Sequence, residues 1–202
     1  MTRDEVIEEI ELSKREGRSA NLADAHLFGE DLHGVDLYDA DLHGANLHSA
    51  YLYDANLTNA DHGYANLRCA DLRNANLTNA DLACADLGYA NLRCADLTGA
   101  NLAGANLRDV DLGGANLRLA ELGSTQVLQI GPIGSRGDYL VAKLFNEGET
   151  EIMTGCFIGT LSEFHHDVLS THADGSKYRK QYLSAIGVID EVFDLKSIES
   201  SK

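Results

Sequence analysis

Leucine returns at every fifth position over about half of this chain. From residue 22 to residue 122 there are 21 such positions, and leucine occupies 20 of them, with His62 in the other. The residue two places earlier is Ala in 18 repeats, and the residue one place earlier is Asn or Asp in 18. A period of five fits neither an α-helix, at about 3.6, nor a β-strand, at about 2. The chain must therefore turn a corner in every repeat over residues 20–124.

Each repeat contains a triplet of a small residue, a polar residue and leucine, which has the alternation of a short strand. The pattern predicts that Ala and Leu point inward and that Asn or Asp points outward. The next two positions vary, and Gly, Asp, Asn and Ser fill most of the second one, which favours a turn. Because such a short side is unstable alone, it must stack on similar sides that pair its backbone and bury its leucine. The sequence therefore predicts a β-solenoid.

The repeat resembles the consensus A(D/N)LXX of the pentapeptide repeat family. Stretches such as Ala75-Asn76-Leu77-Thr78-Asn79 and Ala95-Asp96-Leu97-Thr98-Gly99 match that consensus at every fixed position. The resemblance implies an all-β fold, a right-handed quadrilateral β-helix with four repeats in each coil. Residues 20 apart would then stack at roughly 4.8 Å, the spacing of neighbouring strands.

The segments on either side of the repeats are expected to fold differently. In residues 1–19, Thr2 and Glu5 have the spacing of a capping box, and Gly17 is the expected helix stop. This predicts a short amphipathic helix that plugs the N-terminal coil with an apolar stripe, formed by Val6, Ile7, Ile10 and Leu12.

The C-terminal segment, 125–202, loses the repeat, and its pattern predicts a small α+β domain. Apolar stretches near 127–130, 139–145 and 151–153, parted by turn-like segments, favour a three-stranded antiparallel sheet. The run Gly155-Cys156-Phe157-Ile158-Gly159 is interpreted as a bend. A capping box at Thr160 predicts a helix to about Thr171, and a second helix is predicted over Ser176–Phe193. We expect this domain to dimerise the rods, as a homodimer, or to bind a partner.

The implied four-sided coil sorts the outward residues into four columns. One column lies on Leu22, Leu42, His62, Leu82 and the leucines that follow, and it contains no Arg or Lys. Stacked like charges are destabilising, so a column that keeps them suggests a binding surface. The alternative is that Asp merely replaces Asn in the repeat and stays solvated. The candidate binding residues are Asp24, Asp41, Asp61, Asp81 and Glu121.

The charge of the whole chain limits its partners. It has 32 acidic and 16 basic residues, a formal charge of −16. Such a chain repels nucleic acid, so the expected partner is a protein with a basic surface. Neither an apolar segment of signal-peptide length nor one of membrane-spanning length occurs, so a cytoplasmic location without membrane association is expected.

The leading functional prediction is a non-catalytic, acidic interaction scaffold with no cofactor and no metal. Some members of the family mimic DNA, bind DNA gyrase and protect it from quinolones, and this chain resembles their loop-free type. A DNA-mimicking binder of gyrase or another topoisomerase is therefore the alternative. The chain departs from those members because its central position is never Phe and because its C-terminal segment is larger.

An enzyme in the C-terminal domain is the third hypothesis. It would use Cys156 with His165, His166 or His172 as a thiol–imidazole pair or a metal site. Elsewhere, Cys69, Cys84 and Cys94 fall in three different columns, which argues against disulfides and a shared metal. His33, His43 and His48 also fall in different columns.

His62 takes a leucine position and is predicted to point inward, between Leu42 and Leu82 of adjacent coils. A buried neutral imidazole needs a hydrogen-bond partner. Two interpretations stay open at this position. His62 is either a structural residue, as a local distortion or a buried histidine with its hydrogen bonds satisfied, or part of a functional site.

Overall fold

The computed structural model describes residues 1–133, 138–145, 149–154, 157–173 and 175–193. The chain forms two compact units, Met1–Gly123 and Ser124–Lys202. The first contains an N-terminal helix and the repeats, and the second contains a sheet and two helices.

Helix α1 spans Arg3–Glu16 and has the predicted ends. The Thr2 side chain accepts from the Glu5 N–H, and the Glu5 carboxylate accepts from the Thr2 N–H, so the capping box is present. The helix ends at Gly17, whose φ of 67° is the left-handed conformation that glycine adopts at little cost.

Helix α1 covers the first coil of the repeats. Val6 and Ile10 are buried, whereas Leu12 is 44% exposed, so the prediction that Leu12 belongs to the buried stripe was wrong. Leu12 lies too far around the helix from Val6 and Ile10 to share their face. Polar contacts complete the cover: the Arg3 guanidinium donates to the carbonyl oxygens of Asp31 and His33.

Each repeat pairs with the repeat four places further along the array. Parallel bridges join Asn21 to Asp41, Asp41 to Asp61, and so on around and along the array to the bridge between Asn101 and Glu121. At one such step, the Leu22 N–H donates to the Asp41 carbonyl at 2.7 Å and the Asp41 N–H donates to the Ala20 carbonyl at 2.9 Å. The array is therefore a β-helix stabilised by hydrogen bonds between coils.

The inward and outward sides follow the sequence prediction. Every central position from Leu22 to Leu112, His62 included, is buried, and most of the alanines two places earlier are buried as well. Each corner is closed by a turn, such as the bond from the Ala25 N–H to the Leu22 carbonyl at 3.1 Å.

The second variable residue of the repeat has positive φ whatever its type. Tyr64, Cys84 and Leu119 have φ values of 58°, 57° and 63°. A left-handed conformation costs such residues roughly 1 kcal/mol. They tolerate it because the coils above and below determine the backbone.

The second unit contains a four-stranded antiparallel sheet in the order β1-β2-β3-β4. The strands are β1 Gln126–Ile133, β2 Asp138–Leu144, β3 Thr150–Thr154 and β4 Phe157–Gly159. The prediction of three strands was wrong because Phe157–Gly159, interpreted as part of a bend, pairs with β3 through Ile152 and Gly159. Such a short strand shows no alternation in sequence, and pairing with its neighbour defines it. Gly155 and Cys156 of that run lie outside the described residues.

Helices α2, Leu161–Thr171, and α3, Lys177–Val192, complete this unit. The predicted capping box of Thr160 and Glu163 begins α2. One side of β2 contributes Leu140, Ala142 and Leu144 to a core shared with both helices. Between them in sequence, Lys143 is completely buried and forms an ion pair with Glu151, its cross-strand neighbour.

Candidate functional site

The structure brings four of the five predicted acidic residues onto one ladder of the β-helix. Asp41 pairs with Asp61 and Asp61 with Asp81, and Asn101 then separates Asp81 from Glu121. Asp24 lies elsewhere, at a turn position with φ of 55°. We call the five residues the acidic face, and the run Asp41, Asp61 and Asp81 the aspartate stack.

The aspartate stack has no counterpart on the other ladders that the structure describes. On those three ladders, two aspartates never follow one another at the bridged position, because Asn or Tyr stands next to each of them. The neighbouring asparagine often donates a hydrogen bond to the aspartate. Asn56 Nδ2 donates to Asp36 Oδ1 at 2.8 Å, and Asn106 Nδ2 donates to Asp86 Oδ1 at the same distance. In the aspartate stack two successive steps lack such a donor.

Each carboxylate of the aspartate stack also closes its own turn. Asp41 Oδ1 accepts from the His43 N–H at 3.1 Å, Asp61 Oδ1 from the Gly63 N–H at 2.8 Å, and Asp81 Oδ1 from the Ala83 N–H at 2.9 Å. Asparagines make the same bond elsewhere, which explains why Asn and Asp interchange at this position. The turn therefore accounts for an oxygen at each position, but it does not require a negative charge.

The residues beside the acidic face are mostly small. The position after the central residue holds Ala, His or Gly along this side of the β-helix, so few side chains shade the carboxylates. The exception is His43, whose Nδ1 lies 3.6 Å from Asp61 Oδ1 and whose ring lies 5.5 Å from that of Tyr64. His43 rests over Gly63, where a Cβ atom would approach Nδ1 to 3.0 Å.

Several acidic residues on the other sides of the β-helix have arginine partners. Arg73 holds Asp71 through two hydrogen bonds of 2.7 and 2.6 Å, and these bonds lower the pKa of Asp71. Arg68 lies 3.5 Å from Asp86. No arginine or lysine pairs with the aspartate stack among the residues described. Its polar neighbours are His43 beside Asp61, and Asn101, whose Nδ2 donates to Asp81 Oδ1 at 3.0 Å.

His62 lies directly inside the aspartate stack. Its side chain is completely buried, and neither ring nitrogen makes a hydrogen bond of good geometry within the described protein, although the Ala60 backbone lies near enough to favour protonation. Burial lowers the pKa of His62 to about 4, against weaker opposing effects of the Ala60 backbone, Asp61 and Asp81. The imidazole is therefore neutral near pH 7, and it occupies the core position that leucine fills in the other repeats without disturbing the ladder.

Among the described residues, the histidines of the enzyme hypothesis do not come together in one site. His165 and His166 are exposed on α2, whereas the His172 ring stacks on Tyr182 at 5.5 Å. Cys156 lies outside the described residues. Within the described ranges, no three His, Cys, Asp or Glu residues come close enough together to hold a metal ion. The remaining cysteines of the chain, Cys69, Cys84 and Cys94, are free, exposed thiols.

Two features of the surface escaped sequence reasoning. The His33 ring stacks on Tyr53 at 5.0 Å, and the Arg73 guanidinium lies 6.0 Å from the same Tyr53 ring. His33, Tyr53 and Arg73 are 20 residues apart, so the sequence places them in one column. Planar side chains that follow one another in a column are the signal that would have predicted this stacking. As for membranes, none of the helices in the described part of the chain combines the length and apolar character that a crossing needs.

Comparisons with known proteins agree with the repeat geometry. A sequence profile described as "Pentapeptide repeats" matches in 8 copies over residues 18–52, 50–83 and 80–118. No match was found among curated proteins.

Several solved structures are similar. A pentapeptide repeat protein from the Arabidopsis thaliana thylakoid lumen is 31% identical over 44% of this chain and 69% of its own, with a TM-score of 0.37. One from Nostoc PCC 7120 is 32% identical over 52% of this chain and 73% of its own, with a TM-score of 0.31. QnrB1, a plasmid-mediated fluoroquinolone resistance protein, is 19% identical over 52% of this chain and 73% of its own, with a TM-score of 0.25. With its profile match spanning half of its length and its ladders joining every fourth repeat, the chain belongs to the pentapeptide repeat family.

Proposed function

We propose that this protein is a non-catalytic scaffold whose β-helix binds a protein with a basic surface through the acidic face. The β-helix is proposed to be right-handed and quadrilateral, which the pairing of every fourth repeat supports. The observation that carries the functional proposal is the aspartate stack, in which two successive bridges join like charges without a donor between them.

The energetics of the stack favour a role in binding. Like charges on neighbouring strands destabilise a sheet by a few tenths of a kcal/mol up to about 1 kcal/mol for each pair. Asparagine would close the same turns, as it does at Asn56 and Asn76, without this repulsion. The fold therefore does not need these charges, and a basic partner would neutralise them.

The non-catalytic part of the proposal is supported by the placement of the candidate histidines. His165 and His166 face solvent on α2, and His172 is engaged with the Tyr182 ring. A rigid array that presents one charged side needs no reacting group to hold a partner.

Binding of an oligolysine peptide tests the proposal. The triple variant Asp41→Asn, Asp61→Asn, Asp81→Asn keeps the turn-closing oxygens and removes three charges from the acidic face. The matched control, Asp36→Asn, Asp86→Asn, Asp96→Asn, removes three charges at the same repeat position on other sides. We expect the first variant to weaken binding about tenfold and the control to weaken it about threefold or less, at low salt. Equal losses in both would show that only net charge matters and would overturn the assignment to this face.

A DNA-mimicking binder of DNA gyrase is the second candidate. The array carries 15 acidic and 5 basic residues between positions 20 and 124. Over a length of about 25 Å this is about one net charge per 2.5 Å, compared with about one per 1.7 Å in duplex DNA. Purified gyrase in a supercoiling assay decides this point. Inhibition that the acidic-face triple variant loses supports mimicry, and full activity with unchanged quinolone sensitivity at micromolar protein removes it.

We also propose that the second unit forms a homodimer and that the protein is cytoplasmic. Light scattering of the full chain measures the mass in solution, and a monomer at micromolar concentration would remove the dimer. Fractionation of the source cells would test the location.

A further inference from the structure

The backbone of His62 is fully built into the β-helix. Its N–H donates to the Asp81 carbonyl at 2.7 Å, and its carbonyl accepts from the Ala65 N–H at 2.9 Å. On the coil before it, the Leu42 N–H donates to the Asp61 carbonyl at 2.7 Å. The imidazole is thus held inside the wall that carries the aspartate stack on its outer surface.

The interior around this ring is built from apolar side chains. Leucine fills the same position on the coils before and after it, Leu42 and Leu82, and both are buried. With neither nitrogen hydrogen-bonded, the ring already lacks the contacts that water would supply. A protonated ring would add a charge to this apolar space, which is far more costly than burying the neutral one.

The charged groups that face His62 lie on the other side of the wall. Asp61 and Asp81 both favour its protonation electrostatically. Their Oδ1 atoms are committed to the N–H groups of Gly63 and Ala83, and neither carboxylate reaches the ring. The titratable group on the outside is His43, which rests over Gly63. Gly63 has no side chain, and the His43 ring and the Asp61 carboxylate cover it from outside.

We propose that His62 makes this coil an acid-sensitive latch: protonation draws the imidazole outward to Asp61 and Asp81, opens residues 61–65 and breaks the aspartate stack. The latch would release a basic partner from the acidic face on acidification, and only this last step rests on the proposed function. Gly63 supplies the conformational freedom for the opening.

The size of the effect follows from the two protonation equilibria. Burial lowers the pKa of His62 to about 4 in the closed coil, whereas an exposed imidazole keeps its ordinary 6.5. Protons therefore bind the open coil better between these values, and acid favours opening. From about pH 7 to about pH 5 the opening equilibrium should rise about 20-fold.

Amide hydrogen exchange of the full chain tests the latch, after correction for the chemical exchange rate at each pH. We expect amides of residues 61–65 and of Leu42 to lose about 20-fold protection between about pH 7 and about pH 5, while residues 91–95 do not. The variant His62→Leu restores the residue of the other repeats and should remove this dependence. His62→Gln, which is polar but does not titrate, should be less protected at both pH values without the acid response. The control variant His43→Leu removes the outward histidine above Gly63 and should keep the loss of protection in acid.

The same pH dependence in the wild-type chain and His62→Leu would overturn the latch. Oligolysine binding measured at the two pH values tests whether acidification releases a basic partner from the acidic face. Failure to bind at about pH 7 counts against the proposed function, whereas the exchange data decide the latch separately.

Discussion

Asp61 Oδ1 accepts a hydrogen bond of 2.8 Å from the Gly63 N–H, two places further along the chain. The same bond recurs from repeat to repeat with either Asp or Asn as the acceptor. The outward polar residue therefore has a local structural task, and the charge that Asp adds is separable from that task. This separation makes the acidic face open to a clean test.

Exchanging Asp61 for two different residues should change stability in opposite directions. Asp61→Asn keeps the turn-closing oxygen and removes repulsion with Asp41 and Asp81, so the free energy of unfolding should rise by about 0.5 kcal/mol at low salt. Asp61→Ala loses the hydrogen bond and should lower it by about 1 kcal/mol. Urea unfolding at low and high salt measures both. A gain for Asn that persists unchanged in high salt would contradict the electrostatic explanation.

Leu82→Asn should be far more destabilising than Arg73→Ala. Leu82 is completely buried, so the substitution puts an unsatisfied amide among leucines at a cost of about 3 kcal/mol. Arg73 pairs with Asp71 on the surface, and its loss should cost less than about 1 kcal/mol. Thermal unfolding of both variants compares them. Equal shifts in Tm would contradict the inward and outward assignment.

His62 should make the β-helix less stable in acid. Because burial lowers its folded-state pKa from 6.5 to about 4, the unfolded chain binds the proton first. The contribution of neutral His62 is fully present above about pH 6.5 and is lost as the pH falls towards 4, by about 3 kcal/mol. His62→Leu should be more stable and should lack this slope, as calorimetry at several pH values would show. Parallel stability curves for the two proteins would refute the prediction.

In the second unit, the two partners of the buried ion pair should respond differently. Lys143 is completely buried beside Glu151, and its Nζ also lies 3.5 Å from Met153 Sδ. Glu151→Gln removes the countercharge and should lower the free energy of unfolding by about 3 kcal/mol. Lys143→Met replaces the ammonium group with an apolar side chain of similar length and should cost less than about 1 kcal/mol. Chemical unfolding followed by Tyr fluorescence measures both, and a larger loss for Lys143→Met would contradict the expected order.

Prediction from sequence succeeded where a rule repeats or where signals lie close together. The inward leucines and the capping boxes at Thr2 and Thr160 belong to this class. It failed at Leu12, whose exposure depends on how the helix sits against the first coil, and at Phe157–Gly159, which becomes a strand only by pairing with β3. The acidic face could be placed by column, but its contact with His43 could not.

The five-residue period by itself determined which side chains point inward, since only stacked short sides can satisfy the backbone and bury leucine at that spacing. The four repeats in each coil that the family resemblance implies placed Asp41, Asp61 and Asp81 in one column, and the ladder confirms this. Only the tertiary structure decided which carboxylate oxygen closes a turn and that the ring nitrogens of His62 make no good hydrogen bond within the described protein. It also decided that Lys143 is buried beside Glu151. Those outcomes depend on the positions of individual atoms from other coils and strands, which the order of residue types does not specify.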